Sequence, residues 1–457
     1  MSSANHGPGG AWTNAARLVA RWLDQRERVD ALLEGVPSDL PALDRARCQH
    51  LVFGVVRHYG RIEAALRGLV AHPPRFSTRA VLYVAAFELI EAAAGEDDGN
   101  GRVAKIVHHA VEQTKGLASP TEARLVNAVV RKLAPLMAAP PPPKLAKPEA
   151  LAEYFSHPVW LVRRWLQQFG AEPTRRLLAW NQTPARLMVR RRSGEMPAFL
   201  EPTPWPDFFT AAPGHWPELE ALLQAGSIYL QDPATRHAVA ALEIQPGDVV
   251  LDLCAAPGGK AVAVADALAA GGAGGQVVAL DLPGPRIDRL KRNLATVRGV
   301  DVALVQADLL QDAGKLLREH NLPMNYAAVL LDAPCSNTGV MRHRIDVKWR
   351  LQENDFRKHA RQQFALLHAA ARVTAPGGRL VYSTCSIDTD ENERVVQAFL
   401  GTRAGSAFTL EDSVTVFPWD AGHDGAAVFR LRRSTDQGTS RKTDNVRGAS
   451  SLPRKKV

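Results

Sequence analysis

From Gly247 onward the chain alternates apolar runs of strand length with helical stretches. That pattern leaves little room for anything but a doubly wound α/β domain. Residues 249–253, 276–280, 302–306, 327–331 and 380–382 read as strands. Residues 261–270, 285–298, 356–374 and 390–400 read as the helices between them. The runs are nearly continuous in apolar residues, as parallel strands covered on both faces are. Residues 414–417 and 427–431 are expected to add an antiparallel hairpin at one edge. In an open sheet of this kind ligands bind just outside the carboxyl ends of the strands. The residues that follow each run are therefore the candidates for chemistry.

The first run continues Leu251-Asp252-Leu253-Cys254-Ala255-Ala256-Pro257-Gly258-Gly259-Lys260. A strand there passes through a small-residue turn into a helix. Backbone N–H groups can approach a ligand at such a turn, and the helix start favours anionic groups. This says "nucleotide-like cofactor", although the dinucleotide pattern GxGxxG and the P-loop are both absent. Asp281 and Asp308 end the next two strands, and Asp332 ends the fourth. One aspartate in such a place is usually a cap or turn residue. A series of them suits an adenosyl group, with one carboxylate for a ribose diol and the next for an exocyclic amine. Cys335 and Cys385 each follow a strand into a polar turn, where packing does not ask for a thiol. Cys48 and Cys254 read by default as small buried hydrophobes.

Ahead of this region, residues 12–133 show helical spacing and no strand pattern, which predicts a separate all-α domain. Four consecutive prolines, Pro140 to Pro143, mark a stiff linker. The expected division is 11–137 helical, 138–149 linker, 150–230 a small α+β segment, 231–433 the α/β domain and 434–457 a disordered basic tail. Within the small segment, Arg190, Arg191 and Arg192 end a predicted strand, either as a solvated edge or as an RNA contact. The formal charge is +9, which points to a polyanionic partner. From Arg430 to Val457 there are nine basic and two acidic residues, so this stretch carries +7 of it. Four cysteines without CxxC spacing argue against a disulfide framework or a zinc ribbon, and no metal is expected. No apolar run has membrane-spanning length and no signal peptide is read, so a cytoplasmic protein is expected.

Cys254 to Lys260, then Asp332-Ala333-Pro334-Cys335-Ser336, then Ser383-Thr384-Cys385-Ser386, in that order, resemble the S-adenosylmethionine-dependent RNA cytosine-5 methyltransferases of the Sun/Fmu/RsmB family. Gly339-Val340, Asp346-Val347-Lys348-Trp349 and Asp390-Glu391-Asn392-Glu393 add to the match. Leu43-Asp44-Arg45-Ala46-Arg47, Phe53-Gly54-Val55-Val56-Arg57 and Val126 to Leu133 resemble the helical RNA-binding NusB fold. The resemblance implies a NusB-like bundle ahead of a Rossmann-like class I methyltransferase domain. It implies S-adenosyl-L-methionine as cofactor, held by Cys254, Ala255, Ala256, Pro257, Gly258, Gly259, Lys260, Asp281, Asp308 and Asp332. It implies a monomer acting on RNA, with small-subunit ribosomal RNA as substrate. Cys385 is then the nucleophile, Cys335 assists release, and Asp332 contacts the cytosine edge. The competing amino methyltransferases carry Asp/Asn-Pro-Pro-aromatic at the fourth strand, where this chain has Asp332-Ala333-Pro334-Cys335. Ala261, Asn337 and Ala426-Ala427 depart from the family pattern, and none of them is expected to touch the cysteine pair.

Overall fold

The structure is a computed structural model that describes residues 10–435, apart from 96–98 and 312. The expected disordered tail lies, beyond Thr435, outside the described residues.

The chain begins with α1 (Ala11–Gln25), α2 (Val29–Leu33), α3 (Ala42–Leu69), α4 (Phe76–Ala94), α5 (Gly99–Leu117) and α6 (Pro120–Met137). Trp12, Ala15, Val19, Trp22 and Leu23 bury one face of α1, the stripe expected of an amphipathic helix. In α4 every residue from Ala80 to Phe87 is buried, so this helix runs through the middle of the bundle. Ser119 starts α6 by accepting from the Glu122 backbone N–H at 3.3 Å, with Pro120 in the first turn. The chain between Met137 and Pro148 has no helix or strand. Then come α7 (Pro148–Tyr154), α8 (Val159–Phe169) and α9 (Ala171–Gln182).

A small antiparallel sheet follows, ordered β2-β3-β1-β4, from β1 (Met188–Arg191), β2 (Leu200–Pro202), β3 (Phe208–Ala211) and β4 (Ile228–Leu230), with α10 (Trp216–Gln224) against it. The helix α11 (Arg236–Ala241) leads into the large sheet. Its parallel part is β5 (Val249–Leu253), β6 (Gln276–Asp281), β7 (Asp301–Gln306), β8 (Tyr326–Asp332) and β9 (Thr374–Thr384). Between them lie α12 (Gly259–Ala270), α13 (Ile287–Leu294), α14 (Ala313–Glu319), α15 (Val347–Arg350) and α16 (Asp355–Val373). After α17 (Glu393–Leu400), β10 (Phe408–Val416), α18 (Pro418–Ala421) and β11 (Ala426–Arg433) complete the sheet. The order is β10-β11-β9-β8-β5-β6-β7, with β10 and β11 antiparallel at one edge. The chain moves outward from β5 to β7 and then returns to β8 on the other side of β5. The crevice at this reversal, between the carboxyl ends of β5 and β8, is where such sheets bind ligands.

Two readings change. The strand read over 380–382 is longer in the structure, where β9 starts at Thr374 and runs through Pro376-Gly377-Gly378. The three residues form an irregularity where the register against β8 shifts between Tyr326 and Ala328. The arginine run is not a solvated edge over most of its length. Arg190 Nη2 and Arg192 Nη2 both reach the Asp266 carboxylate of α12, at 2.7 and 2.9 Å. Arg192 Nη1 also donates to Thr296 Oγ1 at 2.8 Å, while Arg191 pairs with Asp207. The run fastens the small sheet to the large domain. Replacing Asp266 by alanine leaves two largely buried guanidinium groups without their anion and should lower stability by about 2–3 kcal/mol. Urea denaturation followed by tryptophan fluorescence checks this, and an unchanged midpoint would rule out the clamp.

A second fastening joins the large domain to the helical bundle. Lys348, 1% exposed, donates from Nζ to the Arg57 carbonyl of α3 at 2.9 Å. Trp349 Nε1 donates to the Val56 carbonyl at 2.8 Å, and its ring meets Tyr59 edge-on at 5.0 Å. Ile345 is buried in the core of the bundle itself.

Candidate active site

The loop after β5 is shaped by backbone requirements. Cys254 takes φ +63°, and Gly258, at φ +108°, opens α12. A Cβ on Gly258 would lie 2.9 Å from Leu290 Cδ1, an end that can move, so it is the backbone conformation that calls for glycine here. Asn293 Nδ2 donates to the Pro257 carbonyl at 2.7 Å and pins the other side. Asp281, at the end of β6 and 4% exposed, accepts the Ala256 N–H at 2.7 Å through Oδ2 and its own Leu282 N–H at 2.7 Å through Oδ1. Arg286 lies 3.6 Å from the same carboxylate. Asp308, one strand further, accepts the Leu310 N–H at 2.9 Å and so at least half serves its own turn.

At β8 and β9 the predicted residues come together. Lys260 Nζ donates to Asp332 Oδ2 at 2.7 Å, and Ser383 Oγ donates to Asp332 Oδ1 at 2.8 Å. Burial works against the Lys260 ammonium, but the adjoining Asp332 carboxylate outweighs it and holds the lysine above its usual range. Cys335 Sγ and Cys385 Sγ stand 3.3 Å apart, with Cys335 buried and Cys385 half-buried. The hydrogen bond to Cys385 and then burial push the Cys335 thiol well above its usual range.

The structure also brings in residues that sequence reasoning passed over. Glu391 is fully buried and ties together the two turns that carry the thiols. Its Oε1 accepts the Ser336 N–H at 2.9 Å, and its Oε2 accepts from Ser386 Oγ at 2.6 Å and from Ser336 Oγ. Asn392 accepts from Thr384 Oγ1 at 2.6 Å and donates to the Ser386 carbonyl at 3.0 Å. The signal was the Asp390-Glu391-Asn392-Glu393 run, quoted as a match without a role. Gly339 donates its N–H to the Cys385 carbonyl at 2.9 Å, and a Cβ there would fall 2.6 Å from that oxygen. One expectation is corrected. Asn337 does touch the pair: Cys385 Sγ lies 3.3 Å from Asn337 Oδ1, and Asn337 Nδ2 donates to the Cys335 carbonyl at 2.9 Å. Its φ of +61° turns the side chain back onto the strand ends, a conformation asparagine tolerates.

S-adenosylmethionine carries a cationic sulfonium, an ammonium and a ribose diol, and the crevice suits all three. Asp252, inside β5 and fully buried, has no hydrogen-bond partner on either carboxylate oxygen among the described residues. Burial first, then the neighbouring Asp332, push its carboxyl well above the usual range. An orphaned buried acid of this kind calls for a cation or donor in the crevice. Sequence reasoning took Asp252 for part of the strand, because nothing in the pattern separates it from Leu251 and Leu253.

Residues 239–418 match the family described as 16S rRNA methyltransferase RsmB/F, and residues 11–135 match the NusB family. The chain is 32% identical over 398 residues to ribosomal RNA small subunit methyltransferase B of Sodalis glossinidius, covering 84% of this chain and 88% of that protein. It is 29% identical over 420 residues to the protein of the same name from Yersinia pestis, covering 88% and 92%. Among solved structures, PH0851 superposes with a TM-score of 0.71 at 21% identity over 93% of this chain and 99% of that one. A methyltransferase homolog protein from Pyrococcus horikoshii gives 0.52 at 22% identity over 62% and 97%. These two likenesses concern the fold. The level of identity and the span shared with the curated relatives, together with the two domain matches, decide the family: this chain belongs to the 16S rRNA methyltransferase RsmB/F family.

Proposed function

We propose that this protein transfers a methyl group from S-adenosylmethionine to carbon 5 of a cytosine in small-subunit ribosomal RNA, through a covalent bond between Cys385 and carbon 6. The observation that carries the reading is the pair of thiols 3.3 Å apart at the ends of adjacent parallel strands, beside the Lys260–Asp332 pair. Direct transfer to an exocyclic amine needs no thiol, whereas carbon 5 of cytosine is a poor nucleophile that needs one. Addition of the Cys385 sulfur to carbon 6 breaks the ring's aromaticity and leaves carbon 5 enamine-like. When bound, S-adenosylmethionine supplies an electrophilic methyl group. The proton that the Cys385 thiol loses passes to N3, and Asp332, oriented by Lys260, accepts from N4–H and from that N3–H and so stabilises the adduct. Cys335, once it has given its own proton to solvent water, takes the carbon-5 proton as a thiolate; carbon 5 and carbon 6 regain their double bond, the Cys385–carbon bond breaks, and the N3 proton returns to the departing Cys385 sulfur. A thiol whose pKa is raised is a poor resting thiolate and a strong base once ionised, which suits removal of a carbon-bound proton. Asp390 to Glu393 and Gly339 hold the two turns in register during these steps.

The cofactor would rest on the loop from Cys254 to Lys260, with Asp281 facing the ribose diol, Asp308 the adenine amine and Asp252 the charged methionyl end. Asp281→Ala should weaken binding of S-adenosylmethionine by on the order of tenfold or more, since it removes a charged acceptor and frees the Ala256 N–H. Calorimetric titration checks this. Unchanged affinity with an unchanged melting temperature would remove Asp281 from the cofactor site.

A further inference from the structure

A cavity of about 560 Å3 opens between α9, the small sheet and the loops that follow Cys335 and α18. Nothing in the proposed methyl transfer uses it. Its walls include Trp180, Arg186, Trp205, Asp232, Arg342 and His343. The loop from Asn337 to Arg344 serves both places. Its Gly339 N–H holds the Cys385 carbonyl, its Gly339 carbonyl accepts the Gly425 N–H at 2.9 Å, and its Arg342 and His343 reach the cavity. This loop therefore touches both the turn that carries Cys385 and the wall of the cavity.

The chemistry inside it is unusual for a simple surface cleft. Asp232 Oδ1 accepts the N–H groups of Ala234 at 2.9 Å and Asp424 at 3.2 Å. Among the described residues, its Oδ2 has no hydrogen-bond donor. Behind it, Asp424 Oδ2 pairs with His343 Nδ1 at 2.9 Å, while Asp424 Oδ1 is buried and unpartnered, on a side chain only 8% exposed. Burial first, and then the Asp424 carboxylate, push the Asp232 carboxyl up to about 7. These are acceptors lacking donors. The rest of the wall is aromatic and cationic. The Arg342 guanidinium lies 4.0 Å over the Trp180 ring, Trp205 stands edge-on to His423 at 5.1 Å, and Arg186 is exposed. Half-exposed aromatic rings with arginines beside them are what single-stranded RNA uses for stacking and phosphate contact. The volume falls in the range of about 300–1,000 Å3 typical of small-ligand sites.

We propose that this cavity is a nucleotide subsite for an unstacked guanine of the substrate RNA, close in sequence to the methylated cytosine. Guanine is the base whose edge offers two adjacent donors, N1–H and N2–H, and the free oxygen of Asp232, which lines the cavity, can accept from both. Trp205 supplies the stacking surface, and Arg186 and Arg342 face the phosphates. The inference rests on the reading of this protein as an RNA methyltransferase, and it adds which neighbour of the target is read and by what.

The test exploits the geometry of Asp232. Asp232→Asn keeps Oδ1 for the two backbone N–H groups and turns the free oxygen into a donor, so the fold is preserved while the contact is inverted. The probes are fluorescein-labelled oligouridine 12-mers with one central guanine or one central adenine, read by anisotropy with the full-length protein. Wild type should bind the guanine probe about tenfold tighter than the adenine probe. Asp232→Asn should erase that preference, and Trp205→Ala should weaken both probes about tenfold. Methylation of transcribed 16S rRNA is measured in parallel, where Asp232→Asn should raise KM and leave kcat within about twofold. If Asp232→Asn keeps the wild-type preference, or wild type shows none, the subsite is overturned. If wild type prefers guanine but methylates no cytosine in the rRNA, the subsite stands and the methyl-transfer reading fails. A divalent metal retained at one per chain and lost in His343→Ala would make the cluster a cation site and overturn the proposal.

Discussion

Cys385→Ala should abolish methylation and covalent adduct together, a loss of about a thousandfold or more in rate. Cys335→Ala should behave differently. Attack and methyl transfer still proceed, the carbon-5 proton stays in place, and the protein remains joined to RNA. On a denaturing gel, with S-adenosylmethionine and transcribed 16S rRNA supplied, Cys335→Ala should give a slow-migrating band that nuclease removes. Cys385→Ala should give none. The two sulfurs are 3.3 Å apart, so either could reach the same base, and position alone does not divide the labour. Their surroundings do differ. Cys335 is buried and its thiol pushed up, whereas Cys385 is half-buried. A trapped band from Cys385→Ala in place of Cys335→Ala would exchange the two roles. Full activity in both variants would end the covalent mechanism and reopen transfer to an exocyclic amine.

Trp349→Ala should separate the helical bundle from the large domain. The indole donates to the Val56 carbonyl and packs edge-on against Tyr59, and its neighbour Lys348 is buried in the same seam. Removing the ring opens a cavity there and leaves a carbonyl with one donor fewer, at a cost of about 3 kcal/mol. Calorimetry should show the single unfolding transition splitting or moving down by several degrees. Trp349→Phe keeps most of the ring and loses the hydrogen bond, so its effect should be about 1 kcal/mol. If both variants melt like wild type, the seam does not hold the domains together. Methylation of rRNA should fall in Trp349→Ala even where the thiol site stays intact, because the helical bundle is no longer held against the large domain.

Much of the site was legible because local sequence determines local backbone. The small residues from Cys254 to Gly259 permit only a tight strand-to-helix turn, and the structure has one there. Asp281 and Asp332 end apolar runs, and both reach the crevice. Asp308 has the same sequence signature, yet its Oδ1 caps its own turn. Nothing in a strand-end aspartate distinguishes the two uses, since the choice depends on which loop lies opposite.

The sequence by itself determined the alternation of strands and helices, the helical domain before it, the tight turn after β5 and the two thiols that follow strands. These follow from periodicity and from the steric demands of short stretches, which act over a few residues. Tertiary structure alone decided that Cys335 and Cys385 face each other, because that requires β8 and β9 to be neighbours in the sheet. It decided that Glu391 braces Ser336, 55 residues away, and that Asn337 meets the Cys385 sulfur. It also decided that Arg190 and Arg192 meet Asp266 of α12, and that Lys348 and Trp349 meet α3 nearly 300 residues earlier, 291 and 293 positions away. A charged or polar side chain carries no mark of its partner in its own neighbourhood. The partner is selected by burial, where an unpaired charge or N–H is costly, and burial is a property of the assembled chain.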